Sequence, residues 1–462
     1  MDDKINDTSF VVITGHPQRG KSERISRVRS HITKQYHRQK HRRRKQAEAD
    51  EANLAMMPIN QMSSGMLREI GFALDPSRLF LSEAVFWRMQ SFVYQYLQSS
   101  REAHPFFRTV IPASISHVPL ISAKILNASA WDDLNGAGGI SDVTLHQRSI
   151  ALSLLNDALA NLDEACSDVN IAAMMSFLTF DFVNENREAF NQQKRGIQRI
   201  IRLRGGVEKL GFEGHLKNSI LIMEELQRVV KNFADSDASS RAADRSPSPS
   251  HPPDFNVFTF RRGQDAFRES KISPSIIHLL SDLYRLVMLS RECCHSASLV
   301  VRQRIFAEWT LIHDRLLTTL KAFSSSSYKH NNSADDYNKA AVLLHAALLF
   351  SSYSGFASYD ADYGRIITTE FFQTLLRQTD IDTYWGPLPG ALIWCLVIGA
   401  RLSRPESPMR KWFLMQVTRI TFPLALDECD EVLGSLRMIL GGMEAVESQK
   451  DENGISWLKR MT

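Results

Sequence analysis

Cysteine is scarce in this sequence and wrongly spaced for metal. The 462-residue chain holds five, at 166, 293, 294, 395 and 429, and no two form a C-x2-C pair. Zinc clusters, ribbons and fingers draw several thiolates or imidazoles from close, repeated positions, so none is expected here. Long apolar runs are also lacking. The longest, residues 391–400 (ALIWCLVIGA), is about half of the roughly 20 residues that a bilayer span requires, and reads as a buried helix. No membrane association is expected. The N-terminus has no apolar signal-peptide core. Free thiols without a secretory signal point to a reducing compartment, cytosol or nucleus.

Catalytic signatures are missing too. G-x-S-x-G, H-E-x-x-H and G-x-G-x-x-G do not occur. Cys293-Cys294-His295 lacks ligand spacing and reads as packing at a helix end. The glycine-rich residues 135–139 follow Trp131-Asp132-Asp133 and no strand, so they read as a loop. No cofactor is expected. The tryptophans at 131, 309, 385, 394 and 412 read mostly as core. Some of them could line an interhelical pocket for a small-molecule effector, which the sequence does not locate.

What is present is an ordinary globular composition, 44% apolar and 23% charged, with room for about three domains or one large helical one. Residues 1–23 form an extended N-terminal segment with one apolar run at 10–13. Residues 24–47 read as a basic helix and 48–80 as a tether. Residues 81–462 read as a helical domain, because apolar residues recur there at spacings of three and four. Stripes of this kind fall at 82–98, 145–162, 169–184, 194–203, 217–230, 275–290, 300–320, 339–353, 366–377, 388–402 and 424–440. Strand-like alternation is rare after residue 14. The fold class expected is all-α, a multi-helix bundle or array of ten or more helices. Residues 234–254, ADSDASSRAADRSPSPSHPPD, contain too little apolar surface to offset ordering entropy. They read as a disordered insertion, either a plain linker or a regulated one phosphorylated at Ser246 and Ser248, each of which precedes a proline.

Gly15-His16-Pro17-Gln18-Arg19-Gly20-Lys21-Ser22 matches G-x-x-x-x-G-K-S in full. In a working P-loop the backbone amides cradle phosphates, with the equivalents of Lys21 and Ser22 on charge and magnesium. The context argues against it. A P-loop belongs to a parallel sheet of βαβ units, and helices follow here instead. The nearest Walker B candidate, Phe177-Leu178-Thr179-Phe180-Asp181, lies inside a helical stripe. A nucleotide site at Gly15, Gly20, Lys21 and Ser22 is therefore the least favoured reading, and no enzymatic activity is expected.

Net charge is only +4, but its distribution is uneven. Residues 19–45 carry twelve Lys and Arg against Glu23 alone, 12 − 1 = +11, which leaves 4 − 11 = −7 for the rest. Ile25, Val28, Ile32 and Tyr36 share one helical face, with cations around it. Arg24, Arg27, Arg29, His31, Lys34 and Arg38 are candidate DNA contacts, where each phosphate neutralised releases counterions. A solvated basic helix without a nucleic-acid role is the competing reading. Lys40, Arg42, Arg43, Arg44 and Lys45 form a compact run of the nuclear-import type.

Three stretches carry a family resemblance. The first is the FVVIT run followed by Val28-Arg29-Ser30-His31-Ile32 and the basic tract. The second runs from Leu145-His146-Gln147-Arg148-Ser149-Ile150-Ala151 to Lys194-Arg195-Gly196-Ile197-Gln198-Arg199-Ile200-Ile201-Arg202-Leu203-Arg204-Gly205-Gly206-Val207. The third is Leu392-Ile393-Trp394-Cys395-Leu396-Val397-Ile398-Gly399-Ala400, then Lys411-Trp412-Phe413. In this order the chain resembles the fungal-specific transcription factor domain proteins, in the subgroup that lacks the N-terminal binuclear zinc cluster. The resemblance implies a helical regulatory domain, a place in transcription or pathway control, a nuclear location and other regulatory proteins as partners. It does not carry over zinc-dependent DNA binding. Read physically, Gly205 and Gly206 are a left-handed stop to an apolar-faced helix.

Overall fold

The computed structural model describes residues 110–136, 139–160, 162–230, 272–293, 299–325, 334–353, 368–383 and 385–447. The N-terminal segment, basic helix and tether, the stripe at 82–98 and the insertion at 234–254 lie outside the described residues. Among those described, every regular element is a helix, as the sequence periodicity requires. In chain order they are α1 (Ile111–Ser116), α2 (Val118–Asn135), α3 (Asp142–Leu159), α4 (Leu162–Ala165), α5 (Asp168–Val183), α6 (Arg187–Leu203) and α7 (His215–Val230). Then come α8 (Pro274–Cys293), α9 (Leu299–Ser325), α10 (Ala334–Tyr353), α11 (Thr369–Arg377), α12 (Pro389–Leu402), α13 (Pro408–Asp427) and α14 (Cys429–Glu447). None is long and apolar enough to cross a membrane.

Local chemistry sets several helix starts. Side-chain oxygens of Ser141, Ser167, Asn186, Thr368 and Ser407 accept from amides of the first turns of α3, α5, α6, α11 and α13. Such caps satisfy donors that no helix can satisfy internally. At α2 the cap is His117, whose Nδ1 accepts from the Leu120 amide at 3.3 Å.

Two helices carry the architecture. The first, α12, is buried from Pro389 to Ala400 and packs on α10, α13 and α14. The second, α13, touches α2, α5, α7, α12 and α14, so it ties the first half of the described chain to the second. One continuous hydrophobic core therefore runs from Leu120 to Met443. Trp309, Trp385 and Trp412 are fully buried within it.

The structure adds two long helices that periodicity missed, α2 and α13, and moves one boundary. The stripe at 424–440 straddles a break at Glu428, so residues 424–427 finish α13 and α14 begins at Cys429.

Candidate functional site

The residues singled out for chemistry in the sequence lie outside the described part of the chain. These are Gly15, Gly20, Lys21 and Ser22, the arm residues Arg24, Arg27, Arg29, His31 and Lys34 to Lys45, and Ser246 and Ser248. What the structure does place is the second and third stretches of the family resemblance, together with Asp181.

Asp181 sits in the last turn of α5 and is fully buried. Arg148 from α3 donates through Nη2 to its Oδ1 at 3.3 Å, and Gln193 from α6 donates through Nε2 to its Oδ2 at 2.6 Å. The Arg148 guanidinium also lies 5.8 Å from the Phe180 ring centroid. Burial pushes the Asp181 carboxyl up to about 6, against the opposing pull of the Arg148 charge and of hydrogen bonds from Arg148 and Gln193. Arg148, from the first end of the second resembling stretch, and Gln193, one residue before its second end, thus meet on one carboxylate that lies between them in sequence. It is a tie between three helices rather than a Walker B aspartate, which would end an apolar strand.

The Arg-Gly-Gly element closes α6. Gly206 N donates to Ile201 O at 2.9 Å and Gly205 N to Arg202 O at 3.1 Å. That double bond pattern is the Schellman motif. Both glycines take positive φ, +89° and +108°. Arg204 then clamps the chain that follows. Its Nη1 pairs with Asp168 and donates to Cys166 O at 3.0 Å, and its Nη2 donates to Lys209 O at 2.9 Å. Gly211 N completes the cluster by donating to Asp168 Oδ1 at 3.0 Å, and a Cβ at 211 would overlap that carboxylate.

The third stretch is also structural. Gly399 on α12 lies flat against the Phe413 ring of α13, where a Cβ would collide with the ring. Trp412 donates from Nε1 to Asn135 Oδ1 at 2.9 Å. Arg377 lies 5.0 Å from the Trp412 ring and donates to the carbonyls of Asn135 and Leu134 at 3.1 and 3.2 Å, capping the end of α2.

Two apolar clefts stand out between the helices. One lies among α8, α10, α12 and α14, beside Tyr284, Phe350 and Trp394; the other lies among α5, α6 and α7, beside Phe190, Lys194 and Gln227. Each leaves a void of about 20 Å³, room for about one water, so neither is a preformed small-molecule site. Among the described residues no group of three His, Cys, Asp or Glu side chains could hold a metal ion. Cys293 ends α8, and Cys294 and His295 lie outside the described residues.

The outer face of α6 is cationic. The helix carries Arg187, Lys194, Arg195, Arg199 and Arg202 against Glu188 alone, 5 − 1 = +4. Arg195, Arg199 and Arg202 are all exposed. Sequence reasoning treated this stretch as a helix terminus and did not single out the arginine row. The signal was available in the spacing of four and three.

No family model, no curated protein and no solved structure matches this chain.

Proposed function

We propose that the chain is a nuclear transcriptional regulator of the fungal-specific transcription factor domain type, without a zinc cluster. The helical body makes the regulatory contacts with other proteins, and the basic N-terminal arm serves nuclear import and contacts DNA phosphates. One observation carries the reading: a +11 arm joined to a chain that is otherwise −7. Clustered cations of that density attract polyanions and raise encounter rates whatever the sequence they meet. The all-helical body and the structural character of the Arg-Gly-Gly and Gly399–Phe413 elements agree with a scaffold for protein contacts. On this reading the protein is not an enzyme, and the G-x-x-x-x-G-K-S match at 15–22 is coincidental.

The alternative reading is a helical interaction or ligand-sensing protein that does not touch DNA. One experiment separates the two. Full-length protein is titrated onto a labelled duplex across a salt series, beside a variant with Lys40, Arg42, Arg43, Arg44 and Lys45 changed to Gln. The proposal expects binding at low salt that strengthens linearly in log affinity as log salt falls, and a shallower slope for the variant. Absence of binding at the lowest salt removes the DNA role. Import is read from a fluorescent fusion: the same five substitutions shift the signal to the cytoplasm, and an unchanged nuclear signal defeats that part.

A further inference from the structure

Arg195, Arg199 and Arg202 stand at spacings of four and three, which places them on one side of α6. Seven residues at about 1.5 Å each spread them over about 10 Å of helix axis. Among the described residues none of the three enters an ion pair. Arg195 donates through Nε to Asn191 O at 3.2 Å, and Arg202 through Nε to Gln198 O at 3.3 Å. These bonds fold each stem back along its own helix and leave the Nη groups for an outside acceptor. Neighbouring cations lie about 6 and about 4.5 Å apart along the axis, wider than the roughly 3.4 Å of axis per phosphate on one strand of B-DNA, so each flexible arginine can reach a separate phosphate without a strict match of repeat. Guanidinium is also the cation whose fork fits a phosphate.

The rest of that face favours a phosphate strand over an acidic protein. Asn191, Gln192 and Gln198 lie among the arginines, Glu188 stands at the N-terminal end of the same face, where it accepts from Gln192 Nε2 at 3.1 Å, and Phe190 and Ile197 are turned into the core. Leu203 is the one large apolar side chain of α6 that is exposed, and it lies past the last arginine. Protein interfaces draw their energy from a buried apolar or aromatic centre, which this face lacks. Contact with a nucleic-acid backbone needs only exposed cations within reach of successive phosphates.

We infer that the Arg195–Arg199–Arg202 ridge is a second phosphate-contact surface for duplex DNA, on the helical body and separate from the arm. The inference rests on the regulatory reading above for the identity of the polyanion. The test compares full-length wild type, R195Q/R199Q/R202Q and the five-residue arm variant on a labelled random-sequence duplex. A charge-matched control is R285Q/R304Q/R315Q, three exposed arginines that already have acidic partners. Log affinity is plotted against log salt. The ridge variant should lose about 2.7 from the slope, three contacts at about 0.9 each, and each single substitution about 0.9. The control should lose clearly less.

A ridge variant indistinguishable from the control overturns the inference and leaves the arm reading standing if the arm variant is weakened. A weakened ridge variant beside an unaffected arm variant does the reverse. No binding by wild type at the lowest salt defeats both. Displacement of polyglutamate by the ridge substitutions, with unchanged DNA slopes, assigns the ridge to an acidic protein and overturns it. Equal melting temperatures across the set establish that folding is intact, as expected for exposed Arg→Gln changes within a helix.

Discussion

At position 181 a carboxyl is closed off by α3, α5 and α6 and titrates at about 6 rather than 3.8. Because the native value is the higher one, the folded protein holds a proton between about pH 4 and 6 that the unfolded chain has released. Stability therefore falls as pH rises through that window, by about 3 kcal/mol in all from this group. Asp181→Asn removes the titration. Thermal melts between pH 4 and 7 should show a flatter profile for the variant, and superimposable profiles would mean that another group titrates. Gly399 offers a second test at this scale. Alanine gains about 1 kcal/mol in helix propensity, but its methyl would enter the Phe413 ring. Overpacking of a rigid core costs about 1–3 kcal/mol, so the clash should win and Gly399→Ala should lower the denaturation midpoint.

Individual helices differ in how plainly the sequence announces them. The amphipathic ones were legible because one face is wet: α6 buries Phe190, Gln193 and Ile197 and shows arginines outside. By contrast α2 buries Leu120, Ile121, Ser122, Ala123, Ile125 and Leu126 almost consecutively, so no polar stripe marks a period. A similar loss of contrast hides α13, where Trp412, Phe413, Leu414, Met415 and Val417 are all buried and Pro423 sits inside the helix. The stop after α6 was readable because two consecutive glycines have few other uses. Arg204, Asp168 and Gly211, or Arg148, Asp181 and Gln193, were not, because only folding brings residues tens of positions apart into contact. The helix stop yields its own prediction. Gly206 has φ 108° and ψ 169°, a region essentially reserved for glycine. Gly206→Ala should cost about 1–3 kcal/mol in chemical denaturation, and a neutral result would show that the turn relaxes freely.

Across the whole molecule, two ion pairs among the described residues join its two halves, Arg437 with Glu225 at 3.7 Å and the more deeply buried pair of Arg410 with Glu185. Arg410 and Glu185 meet at 2.8 Å with both side chains 6% exposed. Glu185 belongs to the α5–α6 turn, where it takes a φ of 58°, and Arg410 to the first turn of α13. Arg410 also donates to Ala400 O at 2.5 Å and to Val230 O at 3.2 Å, and Arg401 donates to Val229 O at 3.2 Å. The final carbonyls of α7, which no helix can satisfy internally, are thus held by two arginines from the far half, and Arg410 also holds a carbonyl near the end of neighbouring α12. Arg410→Met leaves Glu185 as a buried charge without this partner and removes donors from two helix ends. The expected cost is about 3–5 kcal/mol. Glu185→Gln in the same background should recover part of it, because the stranded charge is gone, so the double variant should be less damaged than the sum of the singles. Since the core is continuous from Leu120 to Met443, helical content and tryptophan fluorescence should lose midpoint together in Arg410→Met. Two separated transitions would instead show that the halves fold independently and that this ion pair lies on a seam rather than within a single cooperative unit.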